Sequence, residues 1–379
     1  MTFFIQHVQR ILDTYEGQLP LSLFLRQYFK AYPKLGSRDR RALSEATFIY
    51  FRCRNFFDGS VNNMHVIALG YHLCKSKNAF LAKALHEFNI TESTVKPFFQ
   101  PNITFNISQG LSSEEWLHSL WQQPQLFIRI RKSINEVVAN LKQHEIDFEV
   151  MNDWYGNVTD CMKIQTGKSI DNLLNEADYV VQDWSSQQSI YILLNQLKSN
   201  PVKAWDVCSG AGGKSILLKD KLPAFDLTVS DIRASILHNL QTRFKQYGLG
   251  KVKSLEVNSA DANALREKLG DQMFDLVVCD VPCSGSGTWA RTPEQFHFYK
   301  PAMLQKFKEL QFPIVSNASK YVKQGGLLAY ITCSVFQEEN EDVVNQLLQS
   351  GTLDLKHTQI IDGIGNQADC MFIAVFEKQ

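Results

Sequence analysis

The sequence has no Cys-x-x-Cys pair, no net charge, and no apolar run approaching the roughly 18 residues a membrane span needs. Its eight cysteines are scattered through apolar segments, as in a reduced cytosolic chain, so neither a disulfide scaffold nor a zinc site is expected. The Asn-x-Ser/Thr matches at Asn89, Asn102, Asn106 and Asn157 carry no meaning in that compartment. The amino terminus, Met1-Thr2-Phe3-Phe4-Ile5-Gln6, lacks the basic region, apolar core and cleavage site of a secretory leader. A cytoplasmic monomer without membrane association is the expectation. With 39 basic and 39 acidic residues, any attraction to nucleic acid must come from a local patch.

At 379 residues the chain exceeds one ordinary core, and three domains are expected. Residues 1–115 read as a helical, RNA-binding domain. Phe4, Val8, Ile11, Leu12 and Tyr15 recur at helical spacing, and Leu21 to Ala31 continue it. Between Arg26 and Arg54, eight cations (Arg26, Lys30, Lys34, Arg38, Arg40, Arg41, Arg52, Arg54) face only Asp39 and Glu45. Tyr28, Tyr32, Tyr50 and Phe51 are interleaved. Such a patch can hold phosphates; a solvated helix face is the plain alternative. A polar stretch, Lys96 to Ser113, marks the first boundary. Residues 116–178 read as a small α+β module, with strands at Leu126–Ile130, Phe148–Met151 and Cys161–Ile164 and a helix at Ile134–His144.

Residues 179–379 alternate regularly. Tyr179 to Asp183 lead into a helix, Trp184–Lys198. Strands at Ala204–Cys208, Leu227–Ser230, Ser254–Val257, Leu276–Cys279 and Leu327–Thr332 are separated by helices at Gly212–Lys221, Ile236–Tyr247 and Leu304–Lys323. Leu353–Gln359 and Met371–Phe376 close the sheet. This alternation means an α/β, Rossmann-like parallel sheet, doubly wound.

Groups at the carboxyl ends of such strands share one crevice. Asp280 ends the Leu276 strand, Pro282 stops further pairing, and Cys283 follows in a loop with Gly285 and Gly287. Cys333-Ser334 sits just past the Leu327 strand. Asp280, Cys283 and Cys333 can therefore meet, against the alternative that free cysteine is only a small buried hydrophobe.

The other end of the crevice is Asp206-Val207-Cys208-Ser209-Gly210-Ala211-Gly212-Gly213-Lys214-Ser215, between strand and helix. A phosphate-binding P-loop would need glycine at Cys208, and a dinucleotide fingerprint would need it at Ser215. S-adenosyl-L-methionine is the third candidate. Its methionine would lie over Cys208, Ser209, Gly210, Ala211, Gly212, Gly213 and Lys214. Asp231, after the next strand, would take the ribose hydroxyls, and Asp261 the adenine edge. Asp280 completes that wall, and Lys214 would stand between cofactor and base. Each lone Asp could instead cap a helix; the ordered series Asp206, Asp231, Asp261, Asp280 argues against four coincident caps.

From Gln182 onward the chain resembles the RNA 5-methylcytosine methyltransferases of the NOL1/NOP2/Sun group, and its RsmB-like ribosomal RNA members in particular. Their D-x-C-A-A-P-G-G-K-T loop matches Asp206 to Ser215, with Ser209-Gly210-Ala211 in place of Ala-Ala-Pro. Their D-x-P-C-S-G-x-G matches Asp280 to Gly287, and their Y-x-T-C-S with a following E-E-N matches Tyr330 to Ser334 and Glu338-Glu339-Asn340. More weakly, Arg129-Ile130-Arg131 aligns with an Arg-x-Asn strand of the family's small RNA-binding module. Leu35 to Arg41 looks like the helical domain of RsmB-like members. Where relatives usually carry Arg five residues past the ribose-binding Asp, this chain has Ile236, with Arg233 as the substitute. No segment follows Gln379, so the appended RNA-binding domain of some relatives is expected to be absent.

The resemblance implies methyl transfer to carbon 5 of a cytosine in RNA, with ribosomal RNA as the first expectation and transfer RNA as the second. The chemistry asks for the same residues. Carbon 5 is a poor nucleophile, so a thiolate must first add to carbon 6, and a carboxylic acid at Asp280 can hydrogen-bond the ring as charge builds. The motifs alone do not say which cysteine attacks. The resemblance implies Cys333 as nucleophile and Cys283 as the residue assisting release. The alternatives are a catalytically silent ribosome assembly factor on the same fold, a DNA methyltransferase attacking through the Pro-Cys cysteine, and, more remotely, a P-loop NTPase.

Overall fold

Apolar spacing at the amino end closes into helices. The computed structural model describes residues 2–86, 105–164, 170, 173–222 and 224–379, so the first part of the expected Lys96–Ser113 boundary lies outside the described residues. The helices are α1 (Thr2–Thr14), α2 (Leu21–Ala31), α3 (Ser37–Cys53), α4 (Asn63–Leu73), α5 (Ala79–Leu85) and α6 (Ser113–Ser119). Val8 and Ile11 on α1, Leu21, Leu25 and Tyr28 on α2, and Ala42, Ala46 and Ile49 on α3 share one core. Spacing of three and four residues puts each set on one helix face.

The chain forms two compact units, and the first joins these helices to Ser112–Pro124 and Thr288–Pro301. Thr288–Pro301, remote in sequence, is held there by specific bonds. Glu294 Oε1 accepts from Leu21 N–H at 3.0 Å, and Phe296 O accepts from Asn55 Nδ2 at 3.0 Å. Trp289 packs on Trp116 with ring centroids 5.7 Å apart. The same packing removes Arg52 from the basic patch. It is 4% exposed and donates to Gln123 Oε1 and to Ala290 O. Arg40 donates to Leu35 O and Arg54 to Val61 O. The exposed cations of the patch are therefore Arg26, Lys30, Lys34, Arg38 and Arg41.

The second unit comprises Asn106–Leu111, Gln125–Gly287 and Ala302–Gln379, and its first strands and helix are β1 (Leu126–Ile130), α7 (Ile134–Gln143), β2 (Phe148–Asn152), β3 (Val158–Ile164) and β4 (Tyr179–Val181). These strands form an antiparallel sheet ordered β2-β3-β1-β4. It continues through α8 (Trp184–Asn195), β5 (Lys203–Asp206), α9 (Gly213–Lys221), β6 (Asp226–Asp231), α10 (Ala234–Gln246), β7 (Lys253–Glu256), α11 (Ala262–Leu269) and β8 (Phe274–Asp280). After α12 (Pro293–Phe298), which belongs to the first unit, come α13 (Pro301–Ser319), β9 (Val322–Thr332), α14 (Glu341–Leu348), β10 (Leu353–Ile361) and β11 (Met371–Lys378).

The large sheet runs β10-β11-β9-β8-β5-β6-β7. Strands β5 to β9 are parallel, so their carboxyl ends lie along one edge. The expectation of a wholly parallel sheet needs one correction: β11 runs antiparallel between β9 and β10. No crossover helix separates β10 from β11, and a strand that returns without a crossover must pair antiparallel. Among the described residues no helix is long and apolar enough to cross a membrane.

Arg129 and Arg131, aligned above with an RNA-binding strand, turn inward instead. Arg129 Nη1 lies 2.6 Å from Asp220 Oδ2 on α9, and its guanidinium is fully buried. Arg131 forks onto the same carboxylate, with Nη2 2.8 Å from Oδ1 and Nε 3.0 Å from Oδ2, and sits 4.6 Å from the Tyr247 ring centroid. Removing one partner of a buried pair leaves the other charge uncompensated, at a cost of roughly 3–5 kcal/mol. Asp220→Ala should therefore lower the urea unfolding free energy by about that much. An unchanged unfolding midpoint would mean that Arg129 finds water or another acid.

Candidate active site

Each functional side chain arrives at the carboxyl edge because its strand stops there. Val278 of β8 pairs with Asp206 of β5, and Asp280 of β8 with Ile331 of β9. Asp280 and Cys333 thus emerge from neighbouring strands. Beyond Asp280 the chain turns at Pro282, and Cys283 Sγ reaches within 3.2 Å of Cys333 Sγ. Lys214, in the first turn of α9, places Nζ 2.7 Å from Asp280 Oδ2.

Asp280, Cys283 and Cys333 line a cleft of about 410 Å³, which also takes in Cys208, Gly210, Asp231 and Arg233; Lys214 stands behind Asp280. Gly210 and Gly212 both have positive φ, +52° and +82°, conformations that favour glycine. A Cβ on Gly212 would meet Leu240 at 2.9 Å, whereas one on Gly210 would meet nothing within 4 Å. Gly212 therefore serves helix packing, and Gly210 leaves open space over the loop. Asp231 accepts from Gly210 N–H at 3.1 Å and from Arg233 through both backbone and guanidinium. Burial alone would raise its pKa, but those donors outweigh it and hold the carboxyl below the usual range.

Of the residues expected at the site, the cleft wall contains Cys208, Gly210, Asp231, Asp280, Cys283 and Cys333. Ser209 turns its hydroxyl to Ser230 O at 3.1 Å. Ala211 O accepts from Arg243 Nη1 at 2.6 Å, and Gly213 begins α9. Asp261 is not brought to the cleft. It caps α11 by accepting from Asn263 and Ala264 N–H at 2.9 and 3.2 Å, and Asn258 and Ser259 line the wall at that point instead.

Sequence reading overlooked the clamp beneath the two cysteine loops. Glu339, fully buried, accepts from Ser284 N–H at 2.8 Å and Ser284 Oγ at 2.5 Å. Gln311 Nε2 donates to Glu339 Oε1 and to Pro282 O, both at 2.9 Å. Asn340 ties Thr332 Oγ1 to Ser334 O. The E-E-N run after Cys333 was the available signal; Gln311, on a helix far away in sequence, left none. Burial raises the Glu339 pKa against the pull of its hydrogen-bond donors.

Lys214 is 8% exposed. Burial would lower its pKa, but the Asp280 carboxylate reverses the sign and raises it, keeping the ammonium charged. Cys283 moves well above the ordinary thiol value through its contact with Cys333, with burial adding to it. The arrangement offers two sulfurs in contact, a carboxyl held by an ammonium, and an ionised Asp231 across an open glycine loop. It fits a small ligand bearing vicinal hydroxyls beside an electrophile.

Residues 192–375 match the sequence profile of the family described as 16S rRNA methyltransferase RsmB/F. A ribosomal RNA small subunit methyltransferase B from Salmonella newport is 26% identical over 309 residues, covering 78% of this chain and 69% of that protein. A protein of the same name from Shewanella oneidensis is 27% identical, covering 67% and 58%. Among solved structures, PH0851 superposes with a TM-score of 0.73 at 19% identity over 99% of this chain and 97% of that one. NSun6 from Pyrococcus horikoshii with SFG gives 0.50 at 16% identity over 87% and 97%. At those identities the structures speak to the fold alone.

Asp206 generates a pH prediction. It is fully buried, Oδ2 accepts from Ser215 Oγ at 2.5 Å, and Oδ1 has no partner. Burial raises its pKa from 3.8 to about 7. The folded state thus holds a proton that the unfolded chain releases above 3.8. This stabilisation is complete below pH 3.8 and disappears as pH rises through 7. At about 1.4 kcal/mol per pH unit, wild type should lose about 3 kcal/mol more than Asp206→Asn between pH 5 and 8. Urea unfolding at both pH values measures it, and parallel profiles would place the proton elsewhere.

Proposed function

We propose, for a chain whose residues 192–375 belong to the RsmB/F methyltransferase family, methyl transfer to carbon 5 of a cytosine in ribosomal RNA through a covalent cysteine adduct. At the coarser level the chain is an RNA methyltransferase of the Sun type, and S-adenosyl-L-methionine is its methyl donor. The observation that carries the finer reading is the 3.2 Å contact between Cys283 and Cys333 at the ends of adjacent parallel strands, beside Asp280. One sulfur in a crevice could be a buried hydrophobe. Two in contact, facing a carboxyl and an ammonium, supply a nucleophile and a proton acceptor together.

The residues divide the work as follows. Asp231 would take the ribose hydroxyls, and Gly210 and Cys208 would hold the methionine part of the donor. When bound, S-adenosylmethionine presents a methyl group on a positive sulfur, the electrophile for carbon 5. The Cys333 thiolate bonds to carbon 6 of the base, and the ring's electron pair moves toward carbon 5. Asp280 hydrogen-bonds the ring nitrogen and amino group as that charge builds, with Lys214 behind it as a proton source. After carbon 5 gains the methyl group, Cys283 takes its proton. The electrons of that C–H bond restore the double bond as the Cys333 sulfur departs. The free protein keeps the proton on Cys283 through its contact with Cys333 and burial. Once Cys333 is bonded to carbon that contact is lost, and Cys283 gives this proton to water before it takes the one from carbon 5. RNA binding is assigned to the amino-terminal helices α1 to α5, through the exposed cations from Arg26 to Arg41.

Trapping separates the two sulfurs. With S-adenosylmethionine and RNA present, Cys283→Ala should accumulate a protein–RNA adduct that survives a denaturing gel, and Cys333→Ala should form none. The reverse pattern would exchange their roles, and full activity in both variants would remove covalent catalysis altogether.

The ribose assignment has its own test. Calorimetry on Asp231→Ala should show S-adenosylmethionine affinity reduced at least tenfold, about 1.4 kcal/mol. Unchanged affinity would move the ribose away from Asp231.

A further inference from the structure

The helical unit has a cleft of its own. It measures about 350 Å³ and is formed by α1 with the turn after α2. Ligand sites run from roughly 300 to 1,000 Å³, so this one suits a single nucleotide rather than a larger molecule. Its wall is aromatic. Phe3 is 57% exposed and meets the edge of His7, ring centroids 4.4 Å apart. His7 in turn stands edge-on to Tyr32 at 5.0 Å.

Two features make this wall rigid rather than a loose surface. His7 Nδ1 is bonded to Tyr28 OH at 2.6 Å, and burial lowers the pKa of its ring. Arg10 Nη1 donates to Tyr32 OH at 2.9 Å, with its guanidinium 5.5 Å from the Tyr32 ring centroid. A planar cation is thereby held at the rim of an aromatic cleft. Lys34 adds a second exposed cation, Gln6 adds an exposed amide, and no acidic side chain lines the cleft among the described residues.

We infer that this cleft binds one nucleotide of single-stranded RNA. The base packs on Phe3, Gln6 offers its amide to the base edge, and Arg10 and Lys34 hold the flanking phosphates. Every base has an apolar face, so stacking on Phe3 requires no particular sequence. An amide both donates and accepts, which suits a nucleobase edge. Two cations without an opposing acid select a polyanion over a neutral peptide. The inference rests on the RNA reading above and adds to it a site remote from the methyl-transfer cleft in sequence.

The test uses the full chain and a fluorescein-labelled single-stranded RNA decamer, titrated by anisotropy over a range of salt. Phe3→Ala and Phe3→Leu should each weaken binding about tenfold, the size of one lost base stack, and leave the salt slope unchanged. Leu keeps apolar bulk in case Ala disturbs α1. Arg10→Ala and Lys34→Ala should each reduce the slope of log affinity against log salt by about 0.7. Wild-type affinity in Phe3→Leu would overturn the site while leaving RNA binding intact, and would return the cleft to some other partner. If the wild-type chain fails to bind the decamer yet still binds S-adenosylmethionine, the RNA reading falls and takes this site with it.

Discussion

The constraint on which the candidate site depends is a close approach of backbones at Gly287. A Cβ there would lie 2.0 Å from Cys370 O and 3.0 Å from Cys333 O. With no side chain in the way, Gly287 N–H donates to Cys333 O and Cys370 N–H donates to Gly287 O, both at 2.9 Å. The Pro-Cys loop, the Thr-Cys loop and the start of β11 are thereby joined at backbone level. Glu339 and Gln311 fix the first loop from below, and Asn340 fixes the second. The sulfur–sulfur contact is the consequence. Two cysteines on independent loops would not stay 3.2 Å apart without this backbone junction.

Electrostatics then differentiates carboxyl groups that look alike in sequence. Asp206 and Glu339 are buried with few or neutral donors, so desolvation dominates and their pKa values rise. Asp231 is also buried but receives two backbone N–H groups and a guanidinium, so it falls below the usual range. Asp280 has an ammonium at 2.7 Å. Along one sheet edge the chain thus holds a carboxyl whose pKa is raised, one whose pKa is lowered and one paired with an ammonium, each by a different local balance. That spread suits the proposed division between scaffold, cofactor site and base recognition.

Much of this was legible beforehand, and the failures have identifiable causes. The helical amino end, the strand at Leu126–Ile130, the alternation from Trp184 onward and the strand-end position of Asp231 and Asp280 all followed from periodicity. Asp261 did not reach the cleft because it caps α11, the ordinary role of an Asp before a helix. Arg129 and Arg131 looked like RNA contacts, yet both pair with Asp220 on a helix about ninety residues away. Arg52 looked like part of a basic face and is buried, bonded to Gln123 and Ala290 O. For the three arginines the partner lay far off in sequence, where pattern reading has no purchase, whereas Asp261 was taken by a local cap.

The sequence by itself determined the alternation of strands and helices, and which carboxylates and cysteines stand at strand ends. Those properties depend on periods of two and 3.6 residues and on glycine and proline at fixed offsets, all of which are local. Only the tertiary structure decided that Cys283 and Cys333 touch, that Glu339 and Gln311 hold them, that β11 enters antiparallel, and that Thr288–Pro301 packs with the first helices. Those outcomes turn on which distant surfaces exclude water together and on whether a backbone can approach within hydrogen-bonding distance. Neither quantity is written in any single stretch of chain.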